Sequence, residues 1–234
     1  NSYRGRFAPT PSGELHFGSL IAALGSYLDA RAHNGQWLVR IEDVDSARSR
    51  PEYTQAILTS LAAHGMVSDE TVRIQSEHLP DYHHALNSLR AHLYPCTCSR
   101  KQWHAHAQEG ALGKIYPGYC RDKPLTQWEN CAIRLRLPAT TLHFYDGHLG
   151  RQQYDLQQDI GDPILRRRDG DIAYALAVTV DDAVQGITDI VRGADLLAAT
   201  PIQQYLQTLL GFAPLRYLHL PLVLDKNGNK YSKQ

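Results

Sequence analysis

The chain has 234 residues, enough for one large or two small domains with a buried core. Its 43% hydrophobic and 21% charged residues are typical of a globular protein and exclude an extended disordered chain. The formal net charge of zero excludes a strongly basic nucleic-acid-binding composition, although a local basic patch remains compatible with it.

The apolar runs and the cysteine content bear on the cellular compartment of the protein. No apolar run approaches the roughly 18 residues of a membrane span, and the first residues, NSYRGRF, lack a signal-peptide pattern. Four cysteines in a chain of this size do not suggest a secreted disulfide scaffold. We therefore expect a cytoplasmic protein without a membrane segment, and a monomer.

The first part of the chain alternates strands with helices. Strands are predicted at YRGRFAP, QWLVRIED and TVRIQS, and helices at FGSLIAALGSYLDARAHNG, RPEYTQAILTSLAAHG and LPDYHHALNSLRAHLY. One face of the first helix is expected to carry its large apolar side chains, namely Leu20, Ile21, Leu24, Tyr27 and Leu28. This alternation predicts an α/β fold, with a parallel sheet and crossover helices.

The pattern changes after Tyr94. Residues 95–160 contain all four cysteines and read as antiparallel strands around a DGHLG turn. The α/β pattern then resumes, with a strand predicted over residues 185–192 and a helix over Thr200–Leu210. We expect residues 1–94 and 161–234 to form the two halves of one α/β domain, and residues 95–160 to form an inserted α+β subdomain.

The stretch RFAPTPSGELHFGS places a stiff, glycine-containing loop directly before the first helix. A helix N-terminus after a parallel strand favours a bound phosphate, and glycines allow the backbone to approach a ligand closely. His16 could donate to a phosphate oxygen there, with Gly18 beside it. The alternative is a proline-rich turn that ends in a histidine helix cap.

The end of the sequence, LVLDKNGNKYSKQ, contains three closely spaced lysines: Lys226, Lys230 and Lys233. A mobile lysine loop can hold a polyphosphate and stabilise charge in a transition state. The alternative is a solvated basic segment.

These motifs together resemble the class I aminoacyl-tRNA synthetases. HFGS at residues 16–19 is similar to their HIGH motif, and KYSKQ at residues 230–234 is similar to KMSKS, with departures at Phe17, Ser19, Tyr231 and Gln234. RFAPTPSGELHFGSLIAAL and TVDDAVQGITDIVRGADLLAATPIQQYLQTLLG resemble the glutamyl-tRNA synthetases, in order along nearly the whole chain. The resemblance implies a Rossmann-like catalytic domain and an ATP-dependent ligase.

The resemblance also implies which residues take part in ATP chemistry. The family's catalytic positions correspond to four retained residues: His16, Gly18, Lys230 and Lys233. Of these, His16, Gly18 and Lys233 would contact ATP, with Mg²⁺ shielding the phosphate charge.

Cys96, Cys98, Tyr116 and Cys120 resemble the zinc site of the glutamyl-queuosine tRNA(Asp) synthetases, a shortened branch of the same family. That branch activates L-glutamate and attaches it to queuosine in the anticodon loop of tRNA(Asp). The resemblance implies one structural Zn²⁺ per chain, because cysteine thiolates are good zinc ligands. Other candidates for the fourth ligand are nearby: Cys131, His104, His106 and Tyr119. Three reduced structural cysteines are the alternative to a metal site.

The same resemblance assigns glutamate-binding positions. Arg6 and Arg192 would bind the two carboxylates, Glu42 the α-ammonium and Tyr174 a hydrogen-bonding atom of the substrate. The RFAPT segment would add a wall formed by Ala8, Pro9 and Thr10. Arginine suits this task because it binds carboxylates bidentately.

Each assigned glutamate-binding residue also has a structural alternative. Arg6 could pair with Glu42 or Asp43 instead of substrate. The structural partners proposed for Arg192 are acidic: Asp181, Asp182 and Asp195. Tyr174 could be an ordinary aromatic residue on an apolar helix.

Arg166, Arg167 and Arg168 form a second basic run. They could contact tRNA phosphates, or they could pair with Asp169 and Asp171 in a solvated loop. The rival functions are the core of an ordinary glutamyl-tRNA synthetase, a small-molecule nucleotidyltransferase, and a non-catalytic, synthetase-derived RNA-binding module.

Overall fold

A computed structural model describes residues 2–124 and 126–229. The strands within these residues are β1 (Arg4–Phe7), β2 (Gln36–Ile41), β3 (Arg73–Ile74), β4 (Leu93–Cys96), β5 (Glu109–Gly110), β6 (Gly113–Lys114), β7 (Ala132–Leu135), β8 (Thr141–Asp146), β9 (Gly150–Asp155), β10 (Ile164–Arg166), β11 (Asp189–Gly193) and β12 (Arg216–Leu220). The α-helices are α1 (Phe17–Ala32), α2 (Pro51–Ala63), α3 (Leu79–Ser88), α4 (Arg100–Trp103), α5 (Tyr174–Val184) and α6 (Thr200–Leu210). None of the helices in the described ranges combines the length and apolar character of a membrane span.

Parallel strands form the centre of the molecule. β2 lies between β1 and β3, and β12 pairs in parallel with β11. β11 lies alongside β1, where the Thr188 backbone N–H donates to the Arg4 carbonyl at 2.9 Å. The two sheets therefore lie side by side in the order β3-β2-β1-β11-β12, and α1, α2 and α6 connect β1 to β2, β2 to β3 and β11 to β12. The α/β prediction is therefore confirmed.

Among the described residues, the antiparallel strands form three groups, one of which is the predicted hairpin. β7 pairs with β4 and β10, and β5 with β6. β8 and β9 form the hairpin around the DGHLG turn, and β8 joins the parallel sheet at the Tyr217–Asp146 pair. The hairpin therefore belongs to the sheet of β11 and β12, although it falls within residues 95–160. The three-part division of the chain stays a prediction.

Helix α1 begins and ends near its predicted limits but buries a different face. Its buried residues are small: Ala23, Ser26 and Ala30. By contrast, Leu24 and Leu28 are 41% and 55% exposed, so the expectation that they belong to the packed face was wrong. The reason is close packing: a Cβ on Gly25 would lie 2.5 Å from Leu220 Cδ1. A larger residue at position 25 would have to displace the Leu220 side chain.

Two other elements are shorter than predicted. Helix α3 ends at Ser88, and the last predicted helical residues form β4 instead. Pro95 explains this difference, because the residue before a proline is pushed towards an extended conformation. The strand predicted over residues 185–192 begins only at Asp189, since α5 runs to Val184 and Gly186 turns the chain with φ of 62°.

A buried network of charged side chains ties α5 to the first two strands. Arg40, which is 0% exposed, contacts Asp182 at 2.8 Å and Glu42 at 3.2 Å. Arg6 contacts the same Asp182 through its Nε at 3.0 Å. The structural partner of Arg6 is therefore Asp182, and neither Glu42 nor Asp43 takes that place. The network joins β1, β2 and α5 because each element contributes one of the interacting charges.

The two carboxyl groups of this network have opposite pKa shifts. Burial raises the pKa of Glu42 from 4.5 to about 7, and the neighbouring Arg40 and Arg6 oppose this shift only partly. Burial would also raise the pKa of Asp182, but Arg6 and Arg40 outweigh burial and hold it below its ordinary value. Asp182 is therefore the stable anion of the network, whereas Glu42 titrates near neutral pH.

The variant Glu42→Gln should become more stable relative to the natural chain as the pH rises from 5 to 8. The folded protein holds a proton on Glu42 that the unfolded chain releases above its ordinary pKa, so the natural chain loses stability across this window. The expected change in the difference between their free energies of unfolding is about 1–3 kcal/mol. Urea unfolding at several pH values measures it.

Glu70→Gln is the matched control for this prediction. Glu70 lies at the surface against Arg4, whose hydrogen bond lowers its pKa, so its charge does not change above pH 5. The stability difference of this variant should stay constant from pH 5 to pH 8. A Glu42→Gln difference that is equally flat would contradict the raised pKa of Glu42.

Candidate active site and metal cluster

A cavity of about 330 Å³ lies at the carboxyl ends of the central strands. Its wall is formed by the segment after β1, the start of α1, the segment after β11 and the segment after β12. β1 and β11 are neighbours in the sheet, and their following connections run in different directions. Such a junction of a parallel sheet is where α/β proteins place their ligands.

The N-terminus of α1 faces this cavity. His16 is the N-cap, and its Nδ1 accepts a hydrogen bond from the Ser19 backbone N–H at 3.3 Å. His16 and Gly18 both line the cavity wall. The histidine is therefore a helix cap and a cavity residue at once. The remaining N–H groups of the first turn give this end of the cavity a positive potential that suits an anion.

Arg192 on β11 brings a buried positive charge to the same cavity. Its side chain is 4% exposed. Its hydrogen-bond partners are all uncharged groups: His219 Nε2 at 3.0 Å, Thr200 Oγ1 at 2.9 Å, Tyr174 Oη at 3.3 Å and the Leu196 carbonyl at 3.4 Å. None of the salt bridges formed within residues 2–124 and 126–229 involves Arg192. A buried guanidinium without a carboxylate partner favours an anionic ligand.

The acidic partners proposed for Arg192 are placed elsewhere. Asp181 accepts from Arg73 and Tyr82, and Asp182 belongs to the Arg6–Arg40 network. Asp195 lines the cavity and folds back over Gly193, where a Cβ would lie 2.5 Å from its Oδ1. A side chain at position 193 would therefore have to displace the Asp195 carboxylate.

Tyr174 begins α5 and points its hydroxyl at Arg192. Burial raises the pKa of Tyr174, and the nearby Arg192 opposes this shift only partly. Tyr174 is therefore a neutral phenol that can both accept from Arg192 and donate to a ligand oxygen.

The structure brings most of the sequence-predicted substrate residues to one cavity. Those that line it are Arg6, Ala8, Pro9, Thr10, His16, Gly18, Tyr174 and Arg192. Glu42 does not line the cavity, because its carboxyl group is turned towards Arg40 and only its backbone N–H reaches the loop, at the Pro9 carbonyl. The predicted catalytic residues Lys230 and Lys233 lie outside the described residues.

Sequence reasoning missed three residues that surround Arg192: Thr200, His219 and Asp146. Thr200 and His219 contact Arg192 directly, and Asp146 contacts His219. A single histidine inside the apolar strand YLHLPL was the only signal of His219 in the sequence. In the sequence, only the position of Asp146 in the DGHLG turn marked this residue, because its partner His219 lies 73 residues away.

Three cysteine thiols form a second cluster, beyond the end of β4. Cys96, Cys98 and Cys120 place their sulfur atoms within 4.8 Å of one another, and they could hold a metal ion. The hydroxyl oxygen of Tyr116 lies 3.4 Å from the sulfurs of both Cys96 and Cys98. Ligand atoms around a tetrahedral zinc ion are separated by about 3–4 Å, given its bond lengths of about 2.0–2.3 Å. The four donor atoms therefore have a spacing that fits such an ion.

The positions of the candidates for the fourth metal ligand distinguish them from one another. Cys131 donates to the Gln127 carbonyl at 3.6 Å and is not part of the cluster. Among the described residues, His104 and His106 also lie outside it. Tyr119 packs edge-on against the Tyr116 ring and is 49% exposed. Tyr116 is thus the candidate whose oxygen approaches the thiols.

The thiol environment favours a thiolate at one position. Burial would raise the pKa of Cys120, but hydrogen bonds with Thr97, Tyr116 and Cys98 outweigh it and lower the pKa to about 6. Burial raises the pKa of Cys98. Cys120 therefore offers a preformed anionic ligand, and metal binding would have to displace the proton from Cys98.

The basic run at residues 166–168 is bonded to the protein itself. Arg166 donates to the Trp128 carbonyl and Arg168 to the Thr97 carbonyl, while Arg167 pairs with Asp169 at 2.7 Å. The predicted pairing with Asp169 is present in the structure. Contacts of this run with RNA remain a prediction.

Comparisons with known proteins place the chain among synthetases. Residues 2–234 match the family model of the class I tRNA synthetases (E and Q), catalytic domain. A protein of Pseudomonas aeruginosa strain LESB58 described as glutamyl-Q tRNA(Asp) synthetase is 54% identical, over 100% of this chain and 78% of its own length. A protein of Pseudomonas putida strain W619 with the same description is 52% identical, over 99% of this chain and 77% of its own.

Solved structures give the same result for the fold. A glutamate tRNA ligase of Elizabethkingia meningosepticum, solved in complex with its amino acid, superposes with a TM-score of 0.84 at 25% identity over 96% of this chain. The glutamate-tRNA synthetase of Elizabethkingia anophelis gives a TM-score of 0.87 at 25% identity over 99% of this chain. The chain spans 50% and 52% of the lengths of these two structures.

The sequence match, the strand order and the position of the cavity agree with one another. The parallel sheet superposes on those of the solved glutamate-tRNA synthetases, in agreement with the family match. The chain belongs to the class I glutamyl- and glutaminyl-tRNA synthetase catalytic-domain family, and within it to the family of glutamyl-Q tRNA(Asp) synthetases.

Proposed function

We propose that this chain activates glutamate with ATP and transfers the glutamyl group to the queuosine base of tRNA(Asp). The descriptions of its relatives at 50–54% identity support the acceptor. The observation that carries the glutamate assignment is Arg192, a buried cation with uncharged partners in the wall of the cavity. A substrate with two carboxylates supplies the missing negative charge.

Arg192 and Tyr174 are proposed to bind one carboxylate of glutamate, because both reach the cavity and already contact each other. Arg6 is proposed to bind the other carboxylate, although its charge is already shared with Asp182. Ala8 and Thr10 would form the wall beside the substrate. The contact of Glu42 with the α-ammonium stays a prediction, and it would require the carboxyl group to rotate away from Arg40.

ATP is proposed to bind at the start of α1. There His16 and Gly18 and the positive end of the helix can hold phosphate oxygens. A glutamate carboxylate oxygen would attack the α-phosphorus, and pyrophosphate would leave as the glutamyl-adenylate forms. Mg²⁺ would shield the phosphate charge, and Lys230 and Lys233 are the predicted lysine contacts. Positioning and charge stabilisation supply most of the rate in such a step.

The second step would transfer the glutamyl group to a hydroxyl of the queuosine cyclopentenediol and release AMP. The rival function is the catalytic core of an ordinary glutamyl-tRNA synthetase, which shares the first step and charges tRNA(Glu). The overlap with solved glutamate-tRNA synthetases supports this rival as far as activation is concerned. The two functions differ only in the acceptor, so only a comparison of acceptors separates them.

We also propose one structural Zn²⁺ in the cysteine cluster, with Tyr116 as the fourth ligand. The three thiols, the tyrosine oxygen and the lowered pKa of Cys120 support this assignment. The ion would join the strand end at Cys96 to the loop at Cys120. That link has value because the intervening residues form only short elements: α4, β5 and β6.

Radiolabelled glutamate and ATP should label queuosine-containing tRNA(Asp) and leave the same tRNA without queuosine unlabelled. The reason is that only the modified base offers the accepting hydroxyl. The measurement compares these two tRNAs with tRNA(Glu) after acid precipitation. Label on tRNA(Glu) would establish the rival synthetase function, and no label on any tRNA would favour the non-catalytic module.

Replacing Arg192 by Ala should lower kcat/KM for glutamate in pyrophosphate exchange by at least about 100-fold, because a buried charged contact to substrate is lost. Arg192→Lys should be intermediate, since lysine keeps the charge but lacks the planar guanidinium. Arg216→Ala, on the neighbouring strand and bonded to Asp189 at the surface, is the matched control and should retain activity. Near-normal exchange by folded Arg192→Ala would contradict the assignment.

Freshly purified protein should contain about one zinc ion per chain by elemental analysis, and chelation should lower its Tm. Cys120→Ser should lose the metal, whereas Cys131→Ser should retain it, because Cys131 lies outside the cluster. Tyr116→Phe should bind zinc more weakly. Equal zinc loss by the two serine variants, or zinc-free natural protein, would contradict the proposed site.

A further inference from the structure

A row of three buried side chains runs from the β8–β9 hairpin to the cavity. Asp146 and His219 are 0% exposed, and Arg192 is 4% exposed. His219 Nδ1 lies 2.6 Å from Asp146 Oδ2, and its Nε2 lies 3.0 Å from Arg192 Nε. The row therefore crosses three neighbouring strands, β8, β12 and β11.

The two neighbours of His219 fix its protonation state. An ionised Asp146 can only accept a hydrogen bond, so Nδ1 must carry a proton. The Nε–H of Arg192 can only donate, so Nε2 must be bare. Burial and the charge of Arg192 lower the pKa of His219, which agrees with a neutral ring, although Asp146 opposes the shift. His219 is thus the Nδ1–H tautomer.

Asp146 is itself held in place by the hairpin. Its Oδ1 accepts from the backbone N–H groups of His148 and Leu149 at 3.0 and 2.9 Å. The backbone N–H of His219 also lies within hydrogen-bonding distance, at 3.1 Å from Oδ2. These bonds satisfy the carboxylate and orient Oδ2 towards the imidazole. They also lower the pKa of Asp146, against the effect of its burial.

A neutral imidazole holds Arg192 without neutralising it. A carboxylate at position 219 would bind the Nε edge equally well, but it would also cancel the charge that an anionic ligand needs. In this row the imidazole ring of His219 separates the negative charge of Asp146 from Arg192. Thr200 Oγ1 accepts from Nη2 at 2.9 Å on the same edge of the guanidinium, so two uncharged acceptors fix the Nε–Nη2 edge.

We propose that His219 is a positioning residue for glutamate binding: Asp146 sets its tautomer, and its bare Nε2 orients the Arg192 guanidinium towards the substrate carboxylate. This inference rests on the proposed function, because it takes Arg192 as the carboxylate ligand. It adds two residues that lie behind the cavity and do not touch the substrate.

The test compares two replacements of His219 that each imitate one ring nitrogen. Gln places its amide oxygen near the position of Nε2 and can accept from Arg192. Asn places its amide near Nδ1, so it can reach Asp146 and leaves Arg192 Nε without an acceptor. The readouts are KM for glutamate and KM for ATP in pyrophosphate exchange, with tRNA present, and glutamate binding by calorimetry.

His219→Gln should keep KM for glutamate within about threefold, whereas His219→Asn should raise it about tenfold or more, as expected for a lost buried hydrogen bond to a charged group. KM for ATP should change less than about twofold in both. A loss of folding or rigidity alone would affect both variants and both substrates. Equal effects of Gln and Asn, or equal shifts for ATP and glutamate, would overturn the proposal.

Asp146→Asn provides the second arm. Its Oδ1 can still cap the hairpin, but its amide would donate to Nδ1, so the ring would present an N–H to the N–H of Arg192. KM for glutamate should rise as in His219→Asn. The control is Asp162→Asn, another buried aspartate, bonded to Arg121 and Tyr94 away from the cavity; it should lower Tm without changing KM for glutamate.

Imidazole ¹⁵N NMR spectra supply a readout that does not depend on activity. The natural protein should show His219 protonated at Nδ1 and bare at Nε2, and Asp146→Asn should reverse the two nitrogens. A bare Nδ1 in the natural protein would overturn the proposal even if exchange is normal. If the natural protein neither binds glutamate nor exchanges pyrophosphate while the NMR tautomer is as expected, the proposed function has failed and the inference about glutamate fails with it.

Discussion

The unequal pairing of buried arginines is the constraint on which this structure depends. Arg40 and Arg6 are balanced by Asp182, and this balance joins α5 to β1 and β2. Arg192, on the adjacent strand, is held by uncharged groups. A buried cation is costly unless a partner anion compensates it, so the balanced arginines stabilise the fold and the unbalanced one favours ligand binding. The cavity lies between β1, which carries the balanced Arg6, and β11, which carries the unbalanced Arg192.

The cysteine cluster addresses a different physical problem. Between β4 and β7 the described residues form only short elements, and their buried side chains, among them Trp103, Tyr116 and Cys120, make a small core with the ends of β4 and β7. The thiols of Cys96 and Cys120 belong to this small core. The proposed ion would add a link between the end of β4 and the loop at Cys120, as in other small metal-supported modules. The cavity and the cysteine cluster thus hold irregular backbone by different means: helix ends and charge at the cavity, and clustered thiols at the cluster.

Sequence patterns predicted the features that depend on local chemistry. The helices α1, α2 and α6 and the hairpin around DGHLG follow from periodicity and turn residues, whereas the clustering of three cysteines followed from the family resemblance. Contacts between residues far apart in the chain could not be predicted from these patterns. The partner of Arg6 lies 176 residues away and that of His219 73 residues away, and neither separation leaves a pattern in the sequence. The buried face of α1 was misjudged for the same reason, because its contact with Leu220 depends on how closely two distant elements pack.

Gly25 of α1 packs against the side chain of Leu220 in β12. It lies near the middle of α1, whose N-terminal end carries His16 and Gly18. A rigid helix of 16 residues is about 24 Å long, so a small tilt about its midpoint moves its first turn by a comparable distance in the opposite direction from its last. Leu220 also lines the cavity and directly follows His219. A larger residue at position 25 would therefore displace the Leu220 side chain or the helix, and with it part of the cavity wall between the start of α1 and β12.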